Sequence, residues 1–96
     1  MRRQKDLPGA ALSLRLYIAG SSPNSVQALT NIKAIFSAHY SGASLEVIDV
    51  LTNPGQAFAD GVIVTPTLLK LAPLPVRRVI GNLSEVSQVL LALGAN

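Results

Sequence analysis

The sequence predicts one α/β domain built on a mixed four-stranded sheet. Three observations lead to this fold class. The chain of 96 residues has room for a single core. A segment near its start alternates apolar and polar residues as a strand does. A helix of crossover length then separates this strand from the next one. Hydrophobic residues make up 49% of the chain and charged residues 14%, a balance that excludes a disordered segment.

The first strand and the first helix have the clearest signals. Ser22 is a suitable N-cap, and Pro23 suits the first helical turn, so we expect a helix over residues 23–40. The apolar residues that alternate in the strand before it are Leu12, Leu14, Leu16 and Ile18. The predicted apolar stripe of the helix consists of Val26, Leu29, Ile32, Ile35 or Phe36, and Tyr40.

The remaining elements are shorter. Residues 45–51, LEVIDVL, are rich in β-branched side chains and predict a second strand. Ser84 is the expected cap of a last helix that ends at Gly94. Between these elements we expect a short helix over residues 54–60 and two strands, over residues 67–71 and 76–80, on either side of Pro73-Leu74-Pro75.

The resulting order is βαβαββα. The helical crossover makes the first two strands parallel, and the short connection makes the last two an antiparallel hairpin. This order is the outline of a thioredoxin-like fold. The predicted domain covers residues 12–96, and residues 1–11 are a flexible basic arm.

Charge and hydropathy narrow the classes of partner. The net charge is +3, and Arg2, Arg3 and Lys5 of the arm supply three of the eight basic residues, so the rest of the chain is close to neutral. A nucleic-acid footprint is therefore not expected. No apolar run approaches the roughly 18 residues that cross a bilayer, and the start does not have the pattern of a signal peptide. We expect a cytoplasmic protein with neither a nucleic-acid nor a membrane partner.

The residues that carry chemistry are scarce. A thioredoxin-like enzyme has Cys-x-x-Cys where the first strand meets the first helix. That place holds Ser22-Pro23-Asn24-Ser25, and the chain has no cysteine at all. The single histidine, His39, lies near the far end of the same helix and cannot serve these serines as a base. We therefore expect no enzymatic activity, no metal and no cofactor, and we expect the serines to cap the helix.

Two further features remain after catalysis is excluded. Thr65-Pro66 lies where thioredoxin-like folds place a cis-proline that faces the Cys-x-x-Cys position. Lys70, Arg77 and Arg78 flank the Pro73-Leu74-Pro75 turn, and arginine suits a partner's carboxylates or phosphates. Whether these cations form a binding surface or a solvated hairpin is open on the residues alone.

Three segments resemble the KaiB family of circadian clock proteins and its bacterial homologues. They are LRLYIAGSSPNSVQAL, LEVIDVLTNPGQA and VTPTLLKLAPLPVRRVIGNLS, and the resemblance extends from about Leu12 to Leu93. It implies a protein without enzymatic activity that binds the ATPase ring of a KaiC-type protein. It also implies KaiA or a SasA-type kinase as further clock partners, and assembly as a dimer or tetramer.

The resemblance implies two folds as well. KaiB proteins exchange a ground-state fold, in which the second half is rearranged, with a thioredoxin-like fold that binds KaiC. In the ground state this chain would be helical from about Thr65 and would have a strand near Val89. We expect the thioredoxin-like state. The implied partner-binding residues are Asn24, Lys70, Arg77 and Arg78, and the implied fold-switch or cis-proline residues are Pro66, Pro73, Pro75, Ala92 and Gly94.

A second function hypothesis comes from another class. The N-terminal sensor domain of SasA-type clock kinases is also KaiB-like, but its relatives usually lack the PVRR-IGDLS run, which this chain matches as PVRRVIGNLS. A redox enzyme, the third hypothesis, fails because the chain has no cysteine.

Overall fold

The computed structural model describes residues 12–39 and 42–94 and has the predicted order of elements. The predicted basic arm and Tyr40 lie outside the described residues, as does the side chain of His39. The elements are β1 (Ser13–Ile18), α1 (Pro23–His39), β2 (Ser44–Asp49), α2 (Pro54–Ala59), β3 (Thr67–Ala72), β4 (Arg77–Ile80) and α3 (Val86–Leu93).

The four strands form one mixed sheet in the order β2-β1-β3-β4. Strand β1 is parallel to β2 and antiparallel to β3, and β4 is antiparallel to β3, so both predicted pairings are confirmed. The carboxyl ends of β1, β2 and β4 therefore meet the start of β3 at one end of the sheet. The β3–β4 hairpin lies at the opposite end.

The two faces of the sheet are covered by different helices. Residues of α1 and α3 pack on one face, and Ala57 of α2 packs on the other. The main cluster contains Leu12, Leu14, Leu16, Ala28, Ile32, Ile35, Leu68, Leu83, Val89 and Leu93. The smaller cluster under α2 contains Tyr17, Ile48, Ala57 and Leu69. Each fully buried leucine or isoleucine contributes roughly 1.5–3 kcal/mol of transfer free energy, so the main cluster dominates stability.

The predicted apolar stripe of α1 is wrong at its first position. Val26 is 51% exposed, whereas Ser25 and Ala28 are buried together with Ile32 and Ile35. The buried set follows the helical spacing of three and four residues from Ser25. Its phase is fixed by the Ser25 hydroxyl, which accepts a hydrogen bond from the Ala19 N–H at 3.0 Å. The sequence favours Val26 as the buried residue because its side chain is apolar, whereas the hydrogen bond to the Ala19 N–H places Ser25 there instead.

Two predicted element boundaries are also corrected. Strand β2 ends at Asp49, because the Asp49 carboxylate accepts the Leu51 N–H at 2.9 Å and turns the chain out of the sheet. Helix α3 has Glu85 rather than Ser84 as its N-cap, since the Ser84 N–H donates to the Asn82 side chain at 3.1 Å. Gly94 ends α3 as predicted, with a φ of 98° that favours glycine.

The loop from β4 to α3 is attached to α1 by amide side chains. Asn31 donates to the Asn82 carbonyl at 2.8 Å, and the Asn82 amide donates to the Gln27 side chain at 2.9 Å. The next residue, Leu83, has a φ of 64° and a buried side chain in the main core. A left-handed leucine is strained, so the amide contacts and the buried side chain together hold it in place.

Residues 86–93 are helical, as the thioredoxin-like arrangement requires. Ala92 lies inside this helix and is half-buried, one residue before its last residue, Leu93, and two before the C-cap Gly94. The alternative arrangement, with a strand near Val89, is not the one that the described residues adopt.

Candidate functional site

The candidate site lies at the end of the sheet where β1 leads into α1. Ser22 and Ser25 occupy the Cys-x-x-Cys position, with their hydroxyl oxygens 2.8 Å apart. Ser25 is 1% exposed and stabilises the turn through the Ala19 N–H. Ser22 holds the N-cap position, since its carbonyl accepts the Val26 N–H at 3.0 Å, but its side chain donates to Ser25 rather than capping an amide.

These serines are placed for structure rather than for nucleophilic attack. Ser25 is enclosed, and the Ser22 hydroxyl is directed to it by the hydrogen bond between them. His39 ends α1, which begins at Pro23, so the two ends of the helix are about 24 Å apart. Among the described residues, the serines therefore have no histidine within reach to act as a general base.

The loop before β3 completes this end of the sheet. The Thr65–Pro66 peptide bond is cis, as the resemblance to the fold suggests, and Pro66 is buried. The Pro66 carbonyl accepts the Gly81 N–H at 3.0 Å, and the Thr67 hydroxyl donates to the Val64 carbonyl at 2.6 Å. These bonds attach the loop to both β3 and the end of β4.

Large apolar side chains are exposed at this end, which we call the apolar end: Val26 (51% exposed), Leu51 (70%), Ile63 (93%) and Val64 (46%). They follow β1 and β2 or precede β3, and exposed Asn24 lies in the first turn of α1 at the same end. Gly20 fixes the turn beneath Leu51, because its φ is 55° and an added Cβ would lie 3.2 Å from Leu51 Cδ1. Several large exposed apolar side chains at one end of a domain are typical of a protein-binding site.

A polar network under α2 supports the loop that carries Ile63. The buried Tyr17 hydroxyl donates to Asp60 Oδ2 at 2.5 Å, and Arg15 donates to the same oxygen at 2.8 Å. Arg15 also donates to Glu46 at 2.9 Å. Asp60 is the residue at which α2 ends, so this network fixes where the following loop leaves the sheet.

The network shifts the pKa values of its members. Hydrogen bonds from Tyr17 and then from Arg15 hold the pKa of Asp60 below its ordinary value. Burial, followed by the hydrogen bond to Asp60, raises the pKa of Tyr17 to about 12. The Arg15 pKa is raised mainly through its hydrogen bond to Asp60. At neutral pH Asp60 is therefore a carboxylate, Tyr17 is a neutral phenol and Arg15 is charged, and these are the states in which the hydrogen bonds of the network form.

The three cations predicted as a binding surface do not form one exposed group. Lys70 is 5% exposed, because it follows Leu68 by two residues on β3 and shares the face that α1 and α3 cover. Arg78 is exposed but donates to the carbonyls of Asp60 at 3.0 Å and Gly61 at 3.3 Å, at the end of α2. Lys70 is therefore not an exposed charge of the hairpin, and Arg78 has a structural contact, while the partner-binding role of the three cations stays a prediction.

Arg77 is the remaining cation of the hairpin. It is exposed, and its side chain forms no hydrogen bond and no ion pair with the described residues. The hairpin beside it contains cis bonds at Ala72–Pro73 and Leu74–Pro75, and Leu74 is 79% exposed.

The predicted partner residues fall at two separate ends of the sheet. Arg77 is opposite Lys70, which is opposite Leu14 near the start of β1. Asn24 follows the end of β1 at Ile18, about 13 Å further along the strand direction. The structure thus brings Asn24 together with the apolar end, and it does not bring Asn24 together with the hairpin.

Sequence reasoning missed the Arg15–Tyr17–Asp60 network and the apolar end. A detectable signal for the network was the spacing of Arg15 and Tyr17, which puts two polar groups on one face of β1. Within residues 12–39 and 42–94, no three acidic, histidine or cysteine side chains are grouped to hold a metal ion. No helix in that part of the chain is long and apolar enough to span a membrane.

Comparison with known proteins identifies the family. The family model described as KaiB domain matches residues 15–95. The chain belongs to the KaiB family. The Circadian clock oscillator protein KaiB of Synechococcus elongatus is 49% identical over 87 residues, which cover 90% of this chain and 85% of the relative. The protein of the same name from Prochlorococcus marinus is 47% identical over 90% of this chain and 74% of its own length.

Solved structures identify the same fold. The N-terminal domain of Synechococcus elongatus SasA matches with a TM-score of 0.73 and 24% identity, covering 97% of this chain and 92% of that domain. Chloroplastic thioredoxin z matches with a TM-score of 0.71 and 16% identity, and the match covers 91% of this chain and 81% of the thioredoxin. The domain is therefore thioredoxin-like, with serines where such enzymes carry thiols.

We predict that a Ser22→Cys/Ser25→Cys variant forms an intramolecular disulfide. The hydroxyl oxygens already lie 2.8 Å apart, close to the sulfur separation of about 2.0 Å in a disulfide. Thiol titration after mild oxidation, with the loss of two hydrogens by mass spectrometry, measures the bond. The Ser22→Cys/Ser25→Ala variant is the control and should form only intermolecular species. Two free thiols in the oxidised double variant would contradict the geometry.

We predict that Asp60→Asn lowers stability at neutral pH by about 1.5–3 kcal/mol, because it removes the charge from two hydrogen bonds. A depressed pKa gives stability that is present above the unfolded value and is lost as pH falls through the folded value. The variant should therefore lose less stability than the parent between neutral pH and about pH 3. Denaturant unfolding across this range measures it. Glu85→Gln, at an exposed position, should leave the parent's pH profile unchanged.

Proposed function

We propose that this protein is a non-enzymatic clock or timer component that binds a KaiC-type ATPase ring and modulates its phosphorylation cycle. The observation that carries the proposal is a KaiB-family chain on a thioredoxin-like fold with serines in place of both thiols. Such a scaffold lacks the group that performs thiol chemistry and retains the surface through which a partner can bind. We place this action in the cytoplasm.

The apolar end is the proposed anchor of the interface. Ile63 and Leu51 are large, apolar and more than two-thirds exposed, at 93% and 70%. The segment that carries Ile63 is held at one end by the hydrogen bonds around Asp60 and at the other by the Pro66 carbonyl bond. Little conformational entropy of this segment is therefore lost on binding. A few such side chains in a partner's pockets supply most of the binding free energy of an interface.

Arg77 is the proposed charged contact at the rim. It is exposed and without an ion pair among the described residues, so it is available to a carboxylate of the partner. A standard interface covers about 800 Å² on each partner, enough to include both ends of a domain this small. Rim charges chiefly affect the association rate and its salt dependence. Lys70, the cross-strand neighbour of Arg77, and Arg78, the next residue of β4, remain proposed partner residues.

KaiA and SasA-type kinases are proposed as further partners of the same clock, and self-association into a dimer or tetramer as a further property. The alternative that this chain is the sensor domain of a SasA-type kinase is less favoured. The relatives at 47–49% identity are KaiB proteins, whereas the SasA domain shares 24% identity and so supports the fold alone.

We predict that Ile63→Glu abolishes or weakens binding to a KaiC-type ring by at least about tenfold, because it places a charge in an apolar contact. Size-exclusion chromatography of the two proteins with ATP measures co-elution, and titration calorimetry measures the affinity. Leu91→Glu is the matched control, since Leu91 is also largely exposed, at 71%, but lies on α3 and belongs to neither the apolar end nor the hairpin. Equal binding by both variants would exclude the apolar end, and no co-elution of the parent protein would reject the proposed partner.

We predict that Arg77→Glu reduces the association rate with the ring about threefold to tenfold at low salt, and less at high salt, because it reverses a rim charge. Stopped-flow or surface-binding kinetics at two ionic strengths measure the effect. Lys33→Glu makes the same change of charge at an exposed position of α1 and serves as the control. An equal effect of both variants would show that net charge, rather than the Arg77 contact, is responsible.

A further inference from the structure

Lys70 is a buried charge without a counter-charge. It is 5% exposed, and among the described residues no ion pair or hydrogen bond of its ammonium group is found. Its cross-strand partner is Arg77 of β4. Residues directly opposite in an antiparallel pair point to the same face, with Cβ atoms about 5 Å apart. Two cations are therefore held side by side on the face that α1 and α3 cover.

No acidic side chain in the described part of the chain can neutralise this pair. Glu46 and Asp60 are paired with Arg15 on the opposite face. Asp49 accepts the Gly20 and Leu51 N–H groups at the apolar end, and Glu85 begins α3 at that same end. The segments of α1 and α3 contain one charged residue with a described side chain, Lys33, which is also a cation.

Two like charges directly opposite each other destabilise a strand pair, and burial of one of them adds a desolvation cost. Helices α1 and α3 both end toward the hairpin, and their carbonyl ends carry partial negative charge. The Leu90 and Leu91 carbonyls near the end of α3 accept the Gly94 N–H, and neither helix supplies a full negative charge. Within residues 12–39 and 42–94 nothing balances these two positive charges, so an added anion between them would remove the repulsion.

We propose that Lys70 and Arg77 form a receptor for a single phosphate-type oxyanion. Arg77 presents a planar guanidinium that binds two oxygens at once, and the Lys70 ammonium can take a further oxygen of a tetrahedral anion. Strand β4 is an edge strand and Arg77 is exposed, so the anion has access from solvent along Arg77. The anion is either free phosphate or the phosphoryl group of a phosphorylated side chain.

The test measures the melting temperature of the purified protein in inorganic phosphate and in chloride at equal ionic strength. Phosphate in about tenfold excess over its Kd should raise the melting temperature by roughly 5 °C. Lys70→Met keeps the apolar stem and removes the charge. It should abolish this rise and should melt no lower than the parent in chloride, because the like-charge pair is gone. Lys33→Gln should retain the full rise.

Arg77→Gln is the second variant, for the case in which Lys70→Met does not fold. Arg77 is exposed on the edge strand β4, so its substitution should leave the fold intact. It too should abolish the phosphate-dependent rise. A rise with O-phosphoserine equal to that with phosphate assigns the receptor to phosphorylated side chains, and a rise with phosphate alone assigns it to the free ion. No rise in the parent, or a rise that persists in Arg77→Gln, would reject the receptor. The ring ATPase is absent from this measurement, so its result is independent of the proposed clock function.

Discussion

Burial of β1 on both faces is the constraint on which the rest of the structure depends. The strand is paired on one side with β2 and on the other with β3, and it cannot shift by one residue without exchanging its faces. In its present register Leu14 and Leu16 enter the main core, while Arg15 and Tyr17 meet the end of α2. The same register sets β3, and so decides that Lys70 lies beneath the helices while Leu69 lies under α2.

The short helix α2 connects this constraint to the candidate site. It buries only Ala57, too little apolar surface to hold itself in place. Asp60 compensates through hydrogen bonds from Tyr17 and Arg15. Arg78 of the edge strand β4 lies on the same face of the sheet and binds the backbone carbonyls at the same point. The loop that exposes Ile63 and ends in the buried Pro66 therefore has both of its ends fixed. The apolar end remains exposed because its backbone is held by polar contacts rather than by burial.

Strand periodicity, the Pro23 helix start and the Gly94 helix end were enough to predict the order of the elements and the sheet pairing. They could not predict the phase of α1, because this depends on a serine hydroxyl bonded to a backbone amide six residues earlier. The hairpin charges were identified as a group because they are close in sequence. They are separated because successive side chains of a strand point to opposite faces of the sheet. Which face each charge takes depends on the strand register, and this is set by tertiary pairing. Exposure of Ile63 depends on tertiary packing and has no local signal.

The buried Ser25 hydroxyl has a consequence for redox chemistry at this position. Its oxygen accepts the Ala19 amide, a bond that a sulfur atom would form less well. A pair of thiols introduced here would loosen the turn between β1 and α1, whereas a disulfide between them would tether it again. Folding would thus favour the oxidised pair over the reduced pair, which corresponds to a low reduction potential. Thiols restored to this scaffold would make a weak oxidant, and the serines keep the stability of its turn independent of the redox state of its surroundings.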